Sequence, residues 1–263
     1  MKKKNIYITG SGGYLGQQIV KKFLGSKDFN LYLSFEDVRT FSSNFYIKNA
    51  DVIIHLVAKH PSFAGTNEEM NATNYHSTKF LFDNMKDDCH FIFLSTDHVF
   101  KNDPEKKYYV DSSREPSTTY GITKMKSEDY ILKKSKKFCI IRTSMLYGTK
   151  DNKRDNFINY LFNNLKNEKK VELYSNVWCR PTNVLDLVEF IDHIIKESKT
   201  GIFHASGKQY MNRYEIGKKI CSYYNFKQSL LVPALKPKNS YYQSINLVPS
   251  KEFEKFNKRD INS

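Results

Sequence analysis

The sequence predicts an α/β protein built on a Rossmann-type, doubly wound parallel sheet, with a smaller and partly interleaved C-terminal lobe. Two observations lead to this prediction. A glycine cluster at residues 10–16 lies between the first β-prone run and the first helical apolar pattern. Short, nearly continuous apolar runs then alternate with helical patterns through the first half of the chain. Such runs are typical of parallel strands that helices cover on both faces.

Strands and helices follow one another in order through this first half. Each predicted strand is rich in Ile, Val, Phe or Tyr, and each predicted helix places apolar residues three and four positions apart. The predicted strands cover residues 5–9, 31–35, 51–57, 90–94 and 138–142, and the predicted helices cover 17–24, 78–85 and 119–134. Residues 97–117, rich in Asp, Lys, Ser and Pro, are predicted to form a polar loop.

The second half of the chain is less regular. Helices are predicted over residues 157–165, 185–195 and 213–224, a short strand over 201–204, and a proline-punctuated, loop-rich tail follows. We expect residues 1–150 to form the Rossmann domain and 151–263 to form mainly the second lobe. Residues 183–205 are expected to return to the first domain.

Composition excludes several classes of protein. Of 263 residues 40% are hydrophobic and 27% charged, and no apolar run approaches the roughly 20 residues that cross a membrane. The net charge of +14 comes mostly from Lys, since only 7 of the 42 basic residues are Arg and they form no stripe. We therefore expect neither nucleic-acid nor membrane binding. Four scattered cysteines, with no His or Cys at metal-ligand spacing, predict reduced thiols, no metal site and a cytoplasmic location.

The glycine cluster carries the first chemical signal. Gly10, Gly13 and Gly16 have the G-x-x-G-x-x-G spacing between a predicted strand and a predicted helix. A tight turn, a close approach of the backbone to a pyrophosphate and helix–strand packing each require a residue without Cβ. The free N–H groups at the start of the following helix attract phosphates. The sequence therefore predicts dinucleotide binding here.

Residues after the second predicted strand bear on the identity of the dinucleotide. Glu36 and Asp37 lie about 20 residues beyond the glycines, where an acid commonly binds the adenosine ribose. An acid there favours NAD because it repels a 2′-phosphate, whereas the basic neighbour Arg39 also allows NADP. Both cofactors fit the sequence, with a slight preference for NADP.

A Tyr-x-x-x-Lys pair is the second motif that predicts a chemical function, but the spacing alone has little predictive value. With 18 Tyr among so many Lys, two or three such pairs arise by chance, and the chain has five. Only Tyr120 and Lys124 begin a helix after the fourth strand, with Thr96 at the edge where such sheets bind ligands. Lys124 is expected to lower the pKa of Tyr120, making a proton donor and acceptor for a carbonyl and alcohol, assisted by Thr96.

Ordered motifs reveal a family resemblance over about residues 5 to 187. They are Thr9-Gly10-x-x-Gly13-x-x-Gly16, His55-Leu56-Val57-Ala58, Ser95-Thr96-Asp97-His98-Val99-Phe100, Tyr120-Gly121-x-Thr123-Lys124 and Arg142-Thr143-Ser144-x-x-Tyr147-Gly148. The chain resembles the extended short-chain dehydrogenase/reductases, in particular the dTDP-4-dehydrorhamnose reductase branch.

This resemblance implies roles for particular residues. The catalytic residues would be Thr96, Tyr120 and Lys124. The cofactor would be held by Gly10, Gly13, Tyr14, Leu15, Gly16, Asp37, Leu56, Ala58, Tyr120 and Lys124. The substrate would be bound by Thr96, Asp97, His98, Asn156 and Arg180, the last two near its diphosphate. Asn74 would match the family's Asn on the central helix.

The implied function is the reduction by NADPH or NADH of the 4-keto group of a nucleotide-linked deoxysugar, for surface polysaccharide synthesis. The implied partner is a nucleotide sugar, and a homodimer is one assembly that the family suggests. Two alternatives share the motifs: a nucleotide-sugar 4-epimerase and a non-catalytic NADP-binding regulatory subunit.

The chain also departs from the family pattern. His98 stands where the rhamnose-forming reductases usually carry Tyr, and residues 36–50 are too few for the usual full helix. Arg180-Pro181-Thr182 resembles the wider epimerase and dehydratase branches. Asp97-His98 follows Thr96 where the 4,6-dehydratases have Glu-Lys, which argues against dehydration.

Overall fold

A central parallel sheet organises the computed structural model, which describes residues 3–34, 37–40, 45–62, 65–134, 137–149, 157–238 and 240–261. In chain order the strands are β1 (Lys4–Thr9), β2 (Phe29–Leu33), β3 (Val52–His55), β4 (His90–Thr96), β5 (Asp103–Tyr108), β6 (Phe138–Thr143), β7 (Leu146–Tyr147), β8 (Val171–Tyr174), β9 (Trp178–Cys179), β10 (Thr182–Asn183), β11 (Gly201–Ala205), β12 (Met211–Asn212), β13 (Leu231–Ala234) and β14 (Ile245–Leu247). Six of them form the sheet in the order β2-β1-β3-β4-β6-β11, and all neighbours are parallel. The predicted Rossmann-type α/β class is confirmed.

Helices cover both faces of this sheet. They are α1 (Tyr14–Phe23), α2 (Phe45–Asn49), α3 (Asn67–Asn71), α4 (Ser77–Asn84), α5 (Thr119–Leu132), α6 (Phe157–Lys166), α7 (Val184–Lys196), α8 (Arg213–Tyr224) and α9 (Lys251–Glu254), with one π-helical turn, Ala72–His76, joining α3 to α4. Alternation along β1 divides the core, because Ile6 and Ile8 pack with α1 and α7 while Tyr7 packs with α4 and α5. Within the described ranges, no helix has the length and apolar character needed to cross a bilayer.

The strand order creates a crevice beside β1. The chain passes from β1 to β2 on one side and then crosses to β3 on the other side of β1. Open α/β sheets bind ligands at such a switch point, outside the carboxyl ends of the strands. The glycine cluster, which follows β1, therefore lies at the crevice.

A separate apolar cluster forms beyond the sheet. Helices α6 and α8 pack there with the parallel pair β8 and β13 around Leu161, Leu173, Ile216 and Leu231. The chain does not stay in this region, because α7 returns to the sheet core and β11 pairs with β6 as its last strand.

The segment 97–117 is more ordered than its sequence predicts. It contains β5, which pairs with β14 far along the chain. Only Tyr108 of β5 is buried, so the strand has no apolar alternation and its sequence looks like a polar loop. The predicted helix 78–85 also begins earlier, since α3 starts after a capping box in which Thr66 accepts from the Glu69 N–H.

Candidate active site

A cavity of about 780 Å³ lies at the carboxyl ends of the central strands. It collects the residues that follow β1, β3 and β4, the start of α5, and several residues from the second half of the chain. Among the predicted site residues, the lining includes Gly10, Gly13, Tyr14, Leu15, Gly16, Leu56, Ala58, Thr96, Asp97, His98 and Tyr120. The structure thus brings most of the predicted cofactor and substrate residues together around one space.

The glycine loop is shaped for close approach of a ligand. Gly10 has a φ of +71°, which L side chains rarely adopt, and its carbonyl accepts a hydrogen bond from the Gly13 N–H at 2.9 Å. A Cβ on Gly16 would lie 2.2 Å from the Gly10 carbonyl oxygen, so α1 packs on the loop only with glycine there. Gly13 caps α1 without a side chain, which leaves the first N–H groups of the helix for another acceptor. The residues therefore fit a dinucleotide pyrophosphate.

Tyr120 is positioned by the start of α5. Thr118 caps the helix by accepting from the Gly121 N–H at 3.1 Å. A Cβ on Gly121 would lie 2.1 Å from the His98 carbonyl oxygen, so glycine lets α5 pack directly on the turn after β4. This contact brings Tyr120 to Thr96, whose hydroxyl donates to Asp97 Oδ1 at 3.1 Å.

The protonation state of Tyr120 follows from its surroundings. Burial raises the pKa of the phenol well above 10, Asp97 raises it further, and a hydrogen bond with Thr96 opposes both effects. The expectation that Lys124 lowers this pKa was wrong, because desolvation of the phenolate dominates and Lys124 is not among the groups that shift it. The phenol is consequently protonated at neutral pH and available as a proton donor.

Lys124 is 1% exposed and is not part of the cavity lining. Its Nζ stands 3.8 Å from the centroid of the Phe93 ring. Burial lowers the pKa of Lys124 to about 7, while Glu128 acts in the opposite direction. An ammonium group is therefore held in the core at a cost to folding.

Asn74 joins α5 to the loop after β3. It lies in the π-helical turn, a feature that often marks functional sites. Its Oδ1 accepts from the Lys59 N–H at 2.7 Å, and its Nδ2 donates to the Thr123 hydroxyl at 2.9 Å. Its carbonyl accepts from the Ser127 hydroxyl at 2.9 Å. Asn74 thus fixes α5 relative to the crevice.

A buried ionic network supports the other side of α5. The Glu128 carboxylate is completely buried and accepts from Arg142 Nη2 at 2.8 Å, Arg114 Nη1 at 2.9 Å and the Ser95 hydroxyl at 2.5 Å. Because Ser95 precedes Thr96, this network ties the end of β4 to α5.

Two imidazoles flank the Tyr120 ring. The ring centroids of His60 and His98 lie 5.1 Å and 5.6 Å from that of Tyr120, both edge-on. Burial lowers the pKa of His60 to about 4, helped by His98 and Arg213. Burial also lowers the pKa of His98, where Asp97 opposes the shift and Arg213 adds to it. Both rings are neutral at pH 7.

Some predicted residues do not reach the cavity lining. Asp37 is exposed and its carboxylate pairs with the Arg39 guanidinium at 2.5 Å; the hydrogen bond with Arg39 lowers the pKa of Asp37 to about 2. Arg180 donates to Asn246 Oδ1 at 2.7 Å and to the carbonyl of Lys208. Glu36 and Asn156 lie outside the described residues.

Sequence reasoning missed several lining residues, of which Arg213 is chemically the most informative. Its Nη1 donates to Met145 Sδ at 3.3 Å, and its buried Nε finds no hydrogen-bond partner in the part of the chain that the structure describes. An unsatisfied buried donor costs about 1–3 kcal/mol. No local motif marks Arg213, because it reaches the cavity through the pairing of β12 with β9.

Replacing Lys124 by Met is expected to stabilise the ligand-free protein by about 2–4 kcal/mol at pH 6.5, because a buried ammonium is removed. The pKa of Lys124 is about 7 folded and near 10.5 unfolded. The destabilising effect of burial is therefore full below pH 7 and declines as the pH rises toward 10.5. Urea unfolding at pH 6.5 and 9.5 should show the advantage of the variant shrinking at the higher pH.

The control is Lys126→Met, on the exposed face of the same helix, which should change stability by less than about 0.5 kcal/mol. A Lys124→Met protein less stable than wild type at both pH values would contradict this account.

A Rossmann-type sheet, a glycine loop at its crevice and a Tyr–Lys pair on α5 together define an extended short-chain dehydrogenase/reductase. The chain belongs to the RmlD substrate binding domain family, whose model matches residues 4–263. Several relatives of low identity match most of the chain. Spore coat polysaccharide biosynthesis protein SpsK of Bacillus subtilis is 24% identical over 86% of this chain and 78% of its own length. Methionine adenosyltransferase 2 subunit beta of Bos taurus is 24% identical over 88% and 75%, respectively.

Solved structures share this fold. A dTDP-4-dehydrorhamnose reductase from Clostridium acetobutylicum has a TM-score of 0.83 at 21% identity, over 95% of this chain and 92% of that chain. The reductase of the same name from Bacillus anthracis, in complex with NADP, has a TM-score of 0.78 at 22% identity, over 97% and 99%. The enzyme WbmG from Bordetella bronchiseptica, in complex with NAD and UDP, has a TM-score of 0.79 at 18% identity, over 97% and 89%.

Proposed function

We propose that this protein uses NADPH or NADH to reduce the 4-keto group of a nucleotide-linked deoxysugar for surface polysaccharide synthesis. The observation that carries the proposal is the position of Tyr120, which lines one cavity together with Thr96 and the glycine loop. The family, the reductases of the same fold and the polysaccharide function named for SpsK support it.

In this proposal each residue acts on a defined group. The glycine loop and the first N–H groups of α1 bind the cofactor pyrophosphate, and Leu56 and Ala58 line its cleft. The reduced nicotinamide supplies the hydride. Tyr120 donates its proton to the sugar oxygen, and the Thr96 hydroxyl holds that oxygen in place. Lys124 would hold the nicotinamide ribose, whose hydroxyls would satisfy its buried ammonium.

The rest of the site follows from the same proposal. Residues 1–150 with 183–205 bind the dinucleotide, and the lobe formed mainly by 151–263 binds the nucleotide sugar. The pairing of Asp37 with Arg39 offsets the charge that would repel a 2′-phosphate, which gives NADP a slight preference. The proposed assembly is a homodimer, to be checked by light scattering.

Incubation with dTDP-4-keto-6-deoxyhexose and NADPH or NADH tests the reaction. We expect oxidation of the nicotinamide, followed by its absorbance, with one alcohol product formed per cofactor consumed. Failure to oxidise either cofactor with any nucleotide-linked ketosugar would contradict the proposal.

A non-catalytic regulatory role is the second candidate, favoured by the similarity to methionine adenosyltransferase 2 subunit beta. A protein that only binds the cofactor does not need a proton donor. The presence of both Tyr120 and Lys124 therefore favours an enzyme. Binding of NADP without turnover of any ketosugar would support the regulator. A 4-epimerase would instead interconvert sugars without net cofactor oxidation.

A further inference from the structure

We infer that Arg213 binds the diphosphate of the nucleotide-linked substrate, an inference that rests on the proposed function. Arg213 is the first residue of α8 and lines the cavity. Its guanidinium carbon lies 4.6 Å from the ring centroids of both Phe157 and Tyr242. Two aromatic faces therefore hold a cation in a fixed orientation at the cavity wall.

The guanidinium retains most of its hydrogen-bonding capacity. It has five N–H donors; the thioether of Met145 is a weak acceptor, and the buried Nε has no partner among the residues described. No carboxylate of the described chain forms an ion pair with it. A planar fork with unused donors matches the geometry of phosphate oxygens.

The position of Arg213 distinguishes this anion from the cofactor pyrophosphate. Arg213 lines the cavity together with His60 and His98, and the rings of both histidines contact Tyr120. The cofactor pyrophosphate instead fits the glycine loop at the start of α1. In a nucleotide-linked sugar the diphosphate is bonded to C1, across the ring from the 4-keto carbon, so it lies one sugar ring away from the carbon that Tyr120 serves.

Arg180, which the family resemblance suggested for this role, is already occupied. Its Nε donates to Asn246 Oδ1, and its Nη1 faces the carbonyls of Gly207 and Lys208. It joins the chain before β10 to the strand β14 and is not part of the cavity lining. The two arginines therefore give opposite predictions for substrate binding.

Calorimetric titration of the full-length protein with dTDP, UDP and thymidine, in the presence of NADP, tests this assignment. Wild type should bind the diphosphates more tightly than thymidine. Arg213→Gln should weaken diphosphate binding by roughly 10- to 100-fold and leave thymidine and NADP affinities unchanged. Arg213→Lys should lie between them, because a point charge replaces the planar fork. Lys218→Gln, which removes the same charge from an exposed position on α8, should match wild type.

The results of this titration can be distinguished from the results of the ketosugar reduction assay. Unchanged diphosphate affinity in Arg213→Gln, or a loss confined to Arg180→Gln, overturns the assignment even if ketosugars are reduced. Wild type that binds dTDP and UDP no better than thymidine also overturns it. Arg213-dependent diphosphate binding without ketosugar turnover supports the assignment and counts against the proposed reaction.

Discussion

Replacing Tyr120 by Phe is expected to lower kcat for ketosugar reduction by at least about 10²-fold, the usual scale for losing a positioned acid. The ring remains, so its edge-on contacts with His60 and His98 persist, and only the hydroxyl in the cavity is lost. The Kd for NADP should change by less than about twofold. Stopped-flow turnover and fluorescence titration of the cofactor measure the two quantities separately.

The chain provides a matched control on the same helix. Tyr130 and Lys134 repeat the Tyr-x-x-x-Lys spacing, but the Tyr130 hydroxyl donates to Asp83 Oδ1 at 2.5 Å, outside the cavity lining. Tyr130→Phe should leave kcat unchanged. Equal losses in the two variants, or a Tyr120→Phe enzyme within tenfold of wild type, would show that the proton comes from elsewhere.

Replacing Glu128 by Ala is expected to destabilise the protein by about 3–5 kcal/mol, because it leaves the Arg142 guanidinium buried without its carboxylate. Arg142 is 2% exposed and donates to Glu128 through Nε and Nη2. The variant should also disturb Thr96, because the preceding Ser95 loses its acceptor. Urea unfolding measures the first effect, and KM for the ketosugar measures the second.

Asp129→Asn is the control for this prediction. Asp129 accepts from the same Arg114 at 2.5 Å, but its side chain is 40% exposed. A pair so accessible to water contributes at most about 1 kcal/mol. If the two substitutions destabilise equally, burial of the Glu128 network is not the source of its contribution.

The elements most accurately predicted are those whose signals are local. The helix 213–224 has the predicted bounds because Asn212 and Glu215 form a capping box and the spacing of Ile216 and Ile220 marks its buried face. The pairing of β5 with β14 was not predictable. The residues of β5 show no alternation of apolar and polar side chains, and β14 is remote in sequence.

The residues of the candidate site also differ in whether a local sequence pattern predicts them. Gly10, Gly16 and Tyr120 stand in motifs whose spacing reflects a physical requirement within a few residues. Arg213 is one of 42 basic residues in the sequence. Only the aromatic rings that tertiary contacts place around it identify it as a candidate binding residue. Arg180 is the opposite case. Its residue type suits a phosphate, but its guanidinium donates to Asn246, and no local sequence pattern predicts that contact.

The late return of α7 and β11 to the sheet affects how the polypeptide matures during translation. Until residue 205 leaves the ribosome, β6 is an uncovered edge strand, and the apolar surface that Leu187, Ile191 and Ile194 cover is open to water. Exposed edges of this kind invite intermolecular pairing. A nascent chain stalled near residue 150, or a gene fragment cut there, should aggregate rather than accumulate as a working nucleotide-binding half.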